Sequence, residues 1–502
     1  MNVPAENGTR FSVDRFGAVG DGQTLNTAAI QAAIDGCAQA GGGTVYLPAG
    51  RYVTGSLFLK NDITLYLDAG AVLLGSERVA DYPVIAHRWE GVSRQAHAPL
   101  IGGTDVEDVA ICGRGTIDGR GMTWWQMHRA RALAHPRPRL VSFGHSRNVL
   151  IEGCMLTHSP SWTIHPFECE NVTVDKVTIV NPPNSPNTDG INPESCRNVH
   201  IANCHIDVGD DCVTIKSGTE EEGWDRLTPC ENIAVTNCTM VHGHGGVVIG
   251  SEMSGDVRNV VIANCVFVGT DRGIRLKSRR GRGGVVEDIR VSNVVMAGVL
   301  CPFIMNLYYG PGAWGAERIA DKSAWPVDAG TPRFRRIHFS HITARQVQYA
   351  AAFLYGLAEM FIEEVTFEDV AVSMAADAEA GNPAMAPGIP AMQRAGFCAR
   401  NVRGLRLRDV EVSGQVGPAL TVEDAVEVEV NGGLTRTPDA DAPAIQMRNV
   451  DGAYIHGCRA GEGAFLRLEG KETRGVVLRN IRGLGRDAIR LSEEVPPDAV
   501  VS

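Results

Sequence analysis

The sequence predicts an all-β fold, a parallel β-helix (solenoid) in which each coil is wound from one short repeat. Two observations support it: a seven-residue segment recurs along the chain, and its copies alternate apolar and polar positions with the period of a β-strand. A segment this short cannot bury its own apolar face, so the copies must stack. Clear copies begin at Asn148 (NVLIEGC), Asn171, Asn198, Asn232, Asn259 and Asp288, and degenerate copies begin at Arg336, Glu364, Gly404, Gly452 and Gly475.

Residues 1–75 predict a short N-terminal cap that contains one helix, followed by the first coils. Between Asn26 and Ala40, apolar residues recur at helical spacing, and three glycines follow at 41–43. A phosphate-binding loop would open a helix, whereas this glycine run follows one, so we interpret it as the C-terminal cap.

The segment 76–345 is predicted to hold the catalytic coils and their long loops, in particular 76–140 and 288–336. Long loops on a rigid solenoid are where a binding site is walled. Residues 346–502 are predicted to continue the same domain with C-terminal coils. Within them, residues 375–395 are rich in Ala, Pro and Gly, which favours a flexible excursion over a domain boundary.

Two columns of residues follow from the repeat. Asparagine recurs at the sixth position, as in Asn203 and Asn237, and is expected to form a ladder of side-chain amides with a structural role. Cysteine recurs at the seventh position, where other copies carry Val or Ile, and is expected to form a buried column of free thiols instead of a metal cluster. The cysteines of this column are Cys154, Cys204, Cys238, Cys265 and Cys458.

Composition excludes several classes of function. The formal net charge of −11 argues against general nucleic-acid binding. No stretch is long and apolar enough for a transmembrane helix, so no membrane partner is expected. The N-terminal segment lacks a basic start followed by an apolar run, which predicts a cytoplasmic protein, with a trimmed secreted protein as the alternative.

Four polar motifs lie in the middle coils: NTDG with Asp189, GDD with Asp210 and Asp211, GHG with His244, and RLK with Arg275 and Lys277. They are separated by 21 to 33 residues, about one coil each. Asp210 and His244 both stand twelve residues after the Asn that starts their repeat, which predicts adjacent rungs on one face. The four motifs should therefore form one patch.

The pair Asp210 and Asp211 can face one groove only if the chain turns there, and Gly209 is expected to allow the turn. Three crowded carboxylates raise the proton affinity of at least one of them. One protonated acid and one ionised base are what the cleavage of a glycosidic bond requires. Solvated acidic loops or a calcium site are the alternative interpretation of such a cluster.

Together these motifs resemble the four signatures of the polygalacturonases, glycoside hydrolase family 28, and the surrounding stretches DVGDDCVTIKSG and HGHGGVVIGSEMSG resemble bacterial exo-acting members. The likeness covers residues 10–345 well. It implies a right-handed parallel β-helix and inverting hydrolysis of α-1,4-linked galacturonate in pectin or oligogalacturonides, without a metal or cofactor.

The resemblance also implies residue roles. Asp210 would be the general acid, and Asp189 and Asp211 would hold and activate water. His244 would tune the proton of the acid. Asn187, Arg275 and Lys277 would bind substrate, and PFIMNLYY implies a subsite role for Tyr309 in preference to Tyr308, although Leu307 replaces the family's glutamine.

Two further features stay open at the level of sequence. Trp162 and His165 precede the NTDG segment by about one coil, and either line a sugar subsite, which we favour for both, or merely pack. The stretch 272–282 carries six cations, which either concentrate an acidic polysaccharide or form a solvated basic loop.

Exo action is expected because the insertions 76–140 and 300–333 are available to close one end of a groove. The alternatives are a rhamnogalacturonan or xylogalacturonan hydrolase of the same family, a calcium-dependent pectate lyase-like β-helix, and a non-catalytic carbohydrate-binding solenoid.

Overall fold

The computed structural model describes residues 10–433, 442–461, 463–485 and 487–501. Contacts divide the chain into two compact units, residues 1–244 and 245–502, which are described separately. Both are built of coils of a right-handed parallel β-helix, which confirms the predicted fold class. The domain boundaries expected at 75 and 345 stay predictions. None of the helices among the described residues is long and apolar enough to cross a membrane.

The first unit holds two α-helices, α1 (Thr27–Gln39) and α2 (Met122–Arg129), and short 3₁₀ turns at Val13–Phe16, Val79–Asp81, Glu220–Glu222 and Trp224–Arg226. Its strands are β1 (Arg10–Ser12), β2 (Asp21–Leu25), β3 (Gly43–Leu47), β4 (Gly50–Thr54), β5 (Leu57–Phe58), β6 (Ile63–Leu67), β7 (Ala71–Gly75), β8 (Val84–Trp89), β9 (Val92–His97), β10 (Ile101–Thr104), β11 (Glu107–Gly113), β12 (Thr116–Asp118), β13 (Val141–Gly144), β14 (Arg147–Glu152), β15 (Met155–Thr157), β16 (Ile164–Phe167), β17 (Glu170–Asp175), β18 (Thr178–Val180), β19 (Arg197–Ala202), β20 (His205–Val208), β21 (Val213–Ile215), β22 (Cys230–Thr236) and β23 (Thr239–His242).

These strands stack in parallel along three faces of the first unit. One face runs β1-β3-β6-β11-β14-β17-β19-β22, and a second runs β2-β4-β7-β12-β15-β18-β20-β23. The third face runs β5-β10-β13-β16 and continues through bridges from Ile164 to Ile191 and from Ile191 to Val213. Strands β8 and β9 form an antiparallel hairpin that departs from the coil.

The second unit repeats the pattern with longer strands that bend around a corner. One face runs β24-β26-β28-β30-β32-β33-β34-β35-β37, and the others run β25-β27-β29-β31-β32-β33-β34-β36-β38. The elements are β24 (Val247–Gly250), β25 (Val257–Val268), β26 (Arg272–Lys277), β27 (Val285–Ala297), β28 (Cys301–Asn306), α3 (Glu317–Ala320), β29 (Arg333–Val347), β30 (Ala350–Tyr355), β31 (Ile362–Met374), β32 (Ala395–Ser413), β33 (Leu420–Asn431), β34 (Ile445–His456), β35 (Leu466–Glu469), β36 (Arg474–Arg479), β37 (Ile489–Leu491) and β38 (Val500–Val501).

Each repeat makes its corners with residues in the left-handed region. The first residue of every copy has a positive φ, from Asn148 at 57° to Gly452 at 79°, and so does the sixth. Asparagine and glycine reach this region at the lowest cost, which explains why they recur at these two positions. The apolar second and fourth positions, such as Val149 and Ile151, are buried.

Both predicted columns are present. The Asn237 side-chain amide donates to Asn203 Oδ1 at 3.4 Å, and Asn293 donates to Asn264 Oδ1 at 3.3 Å. The five cysteines of the seventh position are buried and form no disulfide bond, and burial raises the pKa of the Cys154 thiol to about 12. Among the described residues, no cysteine belongs to a cluster with metal-ligand spacing.

The predicted helix corresponds to α1, whose Ile30, Ala33, Ile34 and Cys37 are fully buried. The chain leaves this helix through Gly41 and Gly42, which have φ values of 93° and 99°. The glycine run therefore ends the helix, as predicted.

Candidate active site

Asp189 lies just before the bridge residue Ile191 on the third face of the first unit. Its backbone carbonyl accepts a hydrogen bond from the Thr163 amide at 2.8 Å. Its carboxylate Oδ2 accepts hydrogen bonds from Asn192 Nδ2 at 3.1 Å and from Thr214 Oγ1 at 3.2 Å. The side chain is buried, so these contacts hold one carboxylate oxygen in a single orientation.

Asp210 and Asp211 lie in a bend between β20 and β21. The bend depends on Gly209 for a reason other than the expected one: its φ is not positive, but a Cβ there would lie 2.6 Å from the carbonyl oxygens of Pro182 and Ser185. The neighbouring segment therefore passes too close for any side chain. The Asp211 carbonyl accepts a hydrogen bond from the Gly190 amide at 3.0 Å, which joins the GDD and NTDG motifs.

The three carboxylates come together as predicted, with one oxygen of each within 4.8 Å of the others. Asp189 and Asp211 are buried, whereas the Asp210 side chain is 21% exposed. Like charges at this spacing repel one another. The same spacing would also admit a divalent cation, so the prediction of a metal-free site needs a direct test.

His244 contacts Asp210 through both backbone and side chain. Its Nδ1 lies 3.2 Å from Asp210 Oδ1, and its backbone amide donates to the Asp210 carbonyl at 3.1 Å. Gly243 allows this approach, because it has a φ of 74° and a Cβ there would lie 2.4 Å from the Asp210 carbonyl oxygen. The shared register of Asp210 and His244 therefore corresponds to a direct contact.

Asn187 is positioned by a residue that the sequence did not indicate. The buried Arg137 donates from Nη2 to Asn187 Oδ1 at 2.7 Å, and from Nη1 to the carbonyls of Pro160 and Pro186 at 2.9 and 2.8 Å. Burial lowers the pKa of Arg137 to about 10. Its segment, HPRPR, has no repeat periodicity and offered no signal beyond its positive charge.

The prediction that His165 lines a sugar subsite is not supported. The His165 ring is fully buried, and its Nε2 lies 3.1 Å from Glu194 Oε2. Burial lowers the pKa of His165 to about 3, so the ring is neutral at ordinary pH. Trp162 is also buried and packs against the Arg139 guanidinium, 3.8 Å from its ring centroid. The packing alternative holds because the β8–β9 hairpin covers these side chains: the rings of Trp89 and Trp162 stack with centroids 6.5 Å apart, and the His87 ring lies 6.0 Å from that of His165.

Arg275, Lys277 and Tyr309 lie together within the second unit. The two cations stand two residues apart on β26, where side chains share a face. Their charged groups lie 5.5 and 5.3 Å from the centroid of the Tyr309 ring. Tyr308 packs elsewhere, with Lys322 Nζ 3.6 Å from its ring centroid, which agrees with the choice of Tyr309.

Residues 375–395 are not the flexible excursion that their composition favoured. They fold back on two arginines of β26. Arg275 Nη2 lies 3.1 Å from Met385 Sδ, and Arg272 donates to the carbonyls of Asn382 and Pro383 at 2.9 Å. An antiparallel bridge from Gly381 to Met392 closes the loop. Buried backbone carbonyls paired with arginine hold the segment in place, which composition could not show.

The basic stretch 272–282 is largely structural. Arg280, buried with Glu359, makes a two-pronged ion pair with it at 2.6 and 2.8 Å, and donates to backbone carbonyls of the following loop. Arg279 donates to the carbonyl of Pro311 at 2.7 Å. Arg279 and Arg280 therefore anchor loops and do not form a solvated basic loop.

The β-helix and the carboxylate cluster are those of a glycoside hydrolase, and residues 37–383 match the sequence profile of the glycosyl hydrolases family 28. The chain belongs to this family.

Two relatives and one solved structure are similar to this chain over much of its length. A probable polygalacturonase of Vitis vinifera is 37% identical over 374 residues, which cover 72% of this chain and 74% of the relative. An exo-poly-alpha-D-galacturonosidase of Dickeya chrysanthemi is 30% identical over 57% of this chain and 55% of its own length. The crystal structure of a hyperthermoactive exopolygalacturonase from Thermotoga maritima superposes with a TM-score of 0.69 at 29% identity, over 82% of this chain and 93% of that one.

Proposed function

We propose that this glycoside hydrolase cleaves α-1,4-linked galacturonate in pectin and oligogalacturonides. The observation that carries the proposal is the cluster of Asp189, Asp210 and Asp211, with His244 in contact with Asp210. The relatives named above support the same substrate class. An acidic polysaccharide is therefore the expected partner.

We assign the catalytic roles of the three carboxylates from the exposure of their side chains. Asp210 is the most accessible of the three and would donate the proton to the leaving oxygen, while the His244 imidazole beside it would adjust its proton affinity. Asp189 and Asp211 are buried and would orient and activate the attacking water. Asp189 is suited to this role because Asn192 and Thr214 fix its carboxylate.

Selectivity for an acidic sugar is assigned to Arg275, Lys277 and Tyr309. A guanidinium can bind a carboxylate with two hydrogen bonds, and an ammonium adds a point charge. The Tyr309 ring between these charges would support the sugar. Together they would bind the C6 carboxylate of a galacturonate unit of the substrate.

Exo action is part of the proposal. The long insertions contain ordered elements that could close a groove: the β8–β9 hairpin and α2 in one, and α3 in the other. Inversion is also proposed. The carboxylate oxygens approach within 4.8 Å, which is less than the roughly 6.5–9.5 Å between the two carboxyl groups of most inverting enzymes, so the anomeric configuration is a direct test.

A digestion of polygalacturonate tests these points together. We expect saturated mono- or digalacturonate of inverted configuration by NMR, a slow loss of viscosity, and no effect of EDTA. Unsaturated ends that require calcium would identify a lyase and overturn the proposal. Faster release from rhamnogalacturonan or xylogalacturonan would reassign the substrate, and a rapid loss of viscosity at low cleavage would reject exo action alone.

A further inference from the structure

A cleft of about 670 Å³ opens in the first unit beside the NTDG motif, and the proposed function does not yet use it. Its walls come from the end of α2, the loop that follows, the tip of the β8–β9 hairpin, and Asn187. This volume lies within the range of about 300–1,000 Å³ that is typical of ligand sites. The lining residues that carry the argument are Trp89, Glu90, Arg129, Arg131, Arg137 and Asn187.

The lining is strongly basic although the whole chain carries a net charge of −11. Three arginines and two histidines face a single carboxylate, that of Glu90. Within the part of the chain that the structure describes, Arg129, Arg131 and Arg137 make no ion pair. The carboxylates of Glu90, Asp189 and Asp210 act on Arg137 without forming an ion pair with it, so the cleft keeps an excess of positive charge.

Two of these arginines are held by neutral acceptors, which leaves their charge available. Arg137 bonds to two backbone carbonyls and to the Asn187 amide, and Arg129 donates to the Asn184 carbonyl at 2.8 Å. The positive charge also acts on a neighbouring side chain. Burial, and after it the charges of Arg137 and Arg129, lower the pKa of His128. An anion entering the cleft would meet cations already in position, with little loss of side-chain entropy.

Asn187 connects the cleft to the carboxylates. It lines the cleft, stands two residues before Asp189, and is held by Arg137. A chain bound at the carboxylate cluster could therefore extend into the cleft without leaving the first unit. Trp89 adds an aromatic surface of the kind on which sugar rings pack.

We propose that this cleft is a carboxylate-binding subsite for a uronate unit of the substrate beyond the two units that flank the scissile bond. The inference rests on the proposed function and adds a second, separate recognition of the acid group. Each added uronate would gain a charge-assisted hydrogen bond, so oligomers longer than a disaccharide would bind more tightly.

The test compares trigalacturonate with digalacturonate, because productive binding of the disaccharide fills only the two subsites at the scissile bond. The variant is the double substitution Arg129→Gln with Arg131→Gln, since both side chains are exposed and Arg137 is needed for packing. Arg114→Gln is the matched control, an exposed arginine of the same unit outside the cleft.

We expect the double variant to raise the KM for trigalacturonate by about tenfold or more over its wild-type value, and the control to leave this KM unchanged. Where digalacturonate is also cleaved, its KM should stay at the wild-type value in the double variant. An unchanged KM for trigalacturonate in a double variant with wild-type melting temperature would overturn the subsite. Failure of the proposed function would look different: the wild-type enzyme would release no reducing ends from either oligomer.

Discussion

Asp210 is the residue on which most of the chemistry depends, because it alone among the three carboxylates combines exposure with a histidine contact. The buried Asp189 and Asp211 have their positions set by neighbouring backbone and side chains. A group that must reach a sugar oxygen has to be accessible, whereas groups that hold a water molecule benefit from rigidity.

We expect Asp210→Asn to lower turnover by about 10²–10⁴-fold, because the amide cannot donate the proton that leaves with the sugar. Substrate binding and melting temperature should stay close to wild type. Asp225→Asn, at an exposed position in the same unit, serves as the control and should keep full activity. Reducing-end assays on oligogalacturonate provide the measurement, and more than about a tenth of wild-type turnover in Asp210→Asn would reject its role.

At the scale of elements, the corners of the coils decide how strands stack. The asparagines at the start of successive repeats form a second ladder, which the sequence did not single out. Asn198 donates to Asn171 Oδ1 at 3.1 Å and accepts from Asn232 at 3.0 Å. Its φ of 60° places it in the left-handed region, where three of the five degenerate copies carry glycine, namely Gly404, Gly452 and Gly475.

Two substitutions at this corner separate backbone strain from hydrogen bonding. Asn198→Gly removes both side-chain hydrogen bonds but tolerates the positive φ, whereas Asn198→Ala removes them and adds left-handed strain of about 1–2 kcal/mol. We therefore expect the alanine variant to have the lower urea midpoint of the two, and both to lie below wild type. An alanine variant as stable as the glycine variant would show that the corner does not depend on backbone conformation.

At the scale of the whole molecule, stability comes from stacked apolar coils and not from covalent cross-links. None of the thirteen cysteines forms a disulfide bond in the described structure, and eleven of them are buried. Burial raises the pKa of thiols such as Cys230 and Cys301 to about 12, so they stay protonated and unreactive at neutral pH.

The melting temperature should therefore be the same with and without a thiol reductant, to within experimental error. Removal of a native disulfide would instead cost about 2–5 kcal/mol and lower the melting temperature by several degrees. Differential scanning calorimetry at neutral pH measures this directly. A clear decrease in the reduced sample would mean that some of these thiols pair in the protein.

The sequence by itself determined the coil, the helix α1 and the grouping of Asp189, Asp210, Asp211 and His244. The helix follows from apolar residues at helical spacing. The coil and the grouping of the four side chains follow from the repeat, because the chain returns to the same face once per repeat and residues in one register must lie on neighbouring rungs.

Only the tertiary structure decided which side chains support this framework. Arg137 contacts Asn187 across 50 positions and Arg275 contacts Met385 across 110, and in each pair at least one partner lies in a loop that carries no repeat. The burial of His165 against Glu194 likewise depends on what packs over the coil. Contacts that recur with the repeat can be predicted from the spacing of residues along the chain. Contacts made by irregular loops depend on where the folded coils bring those loops.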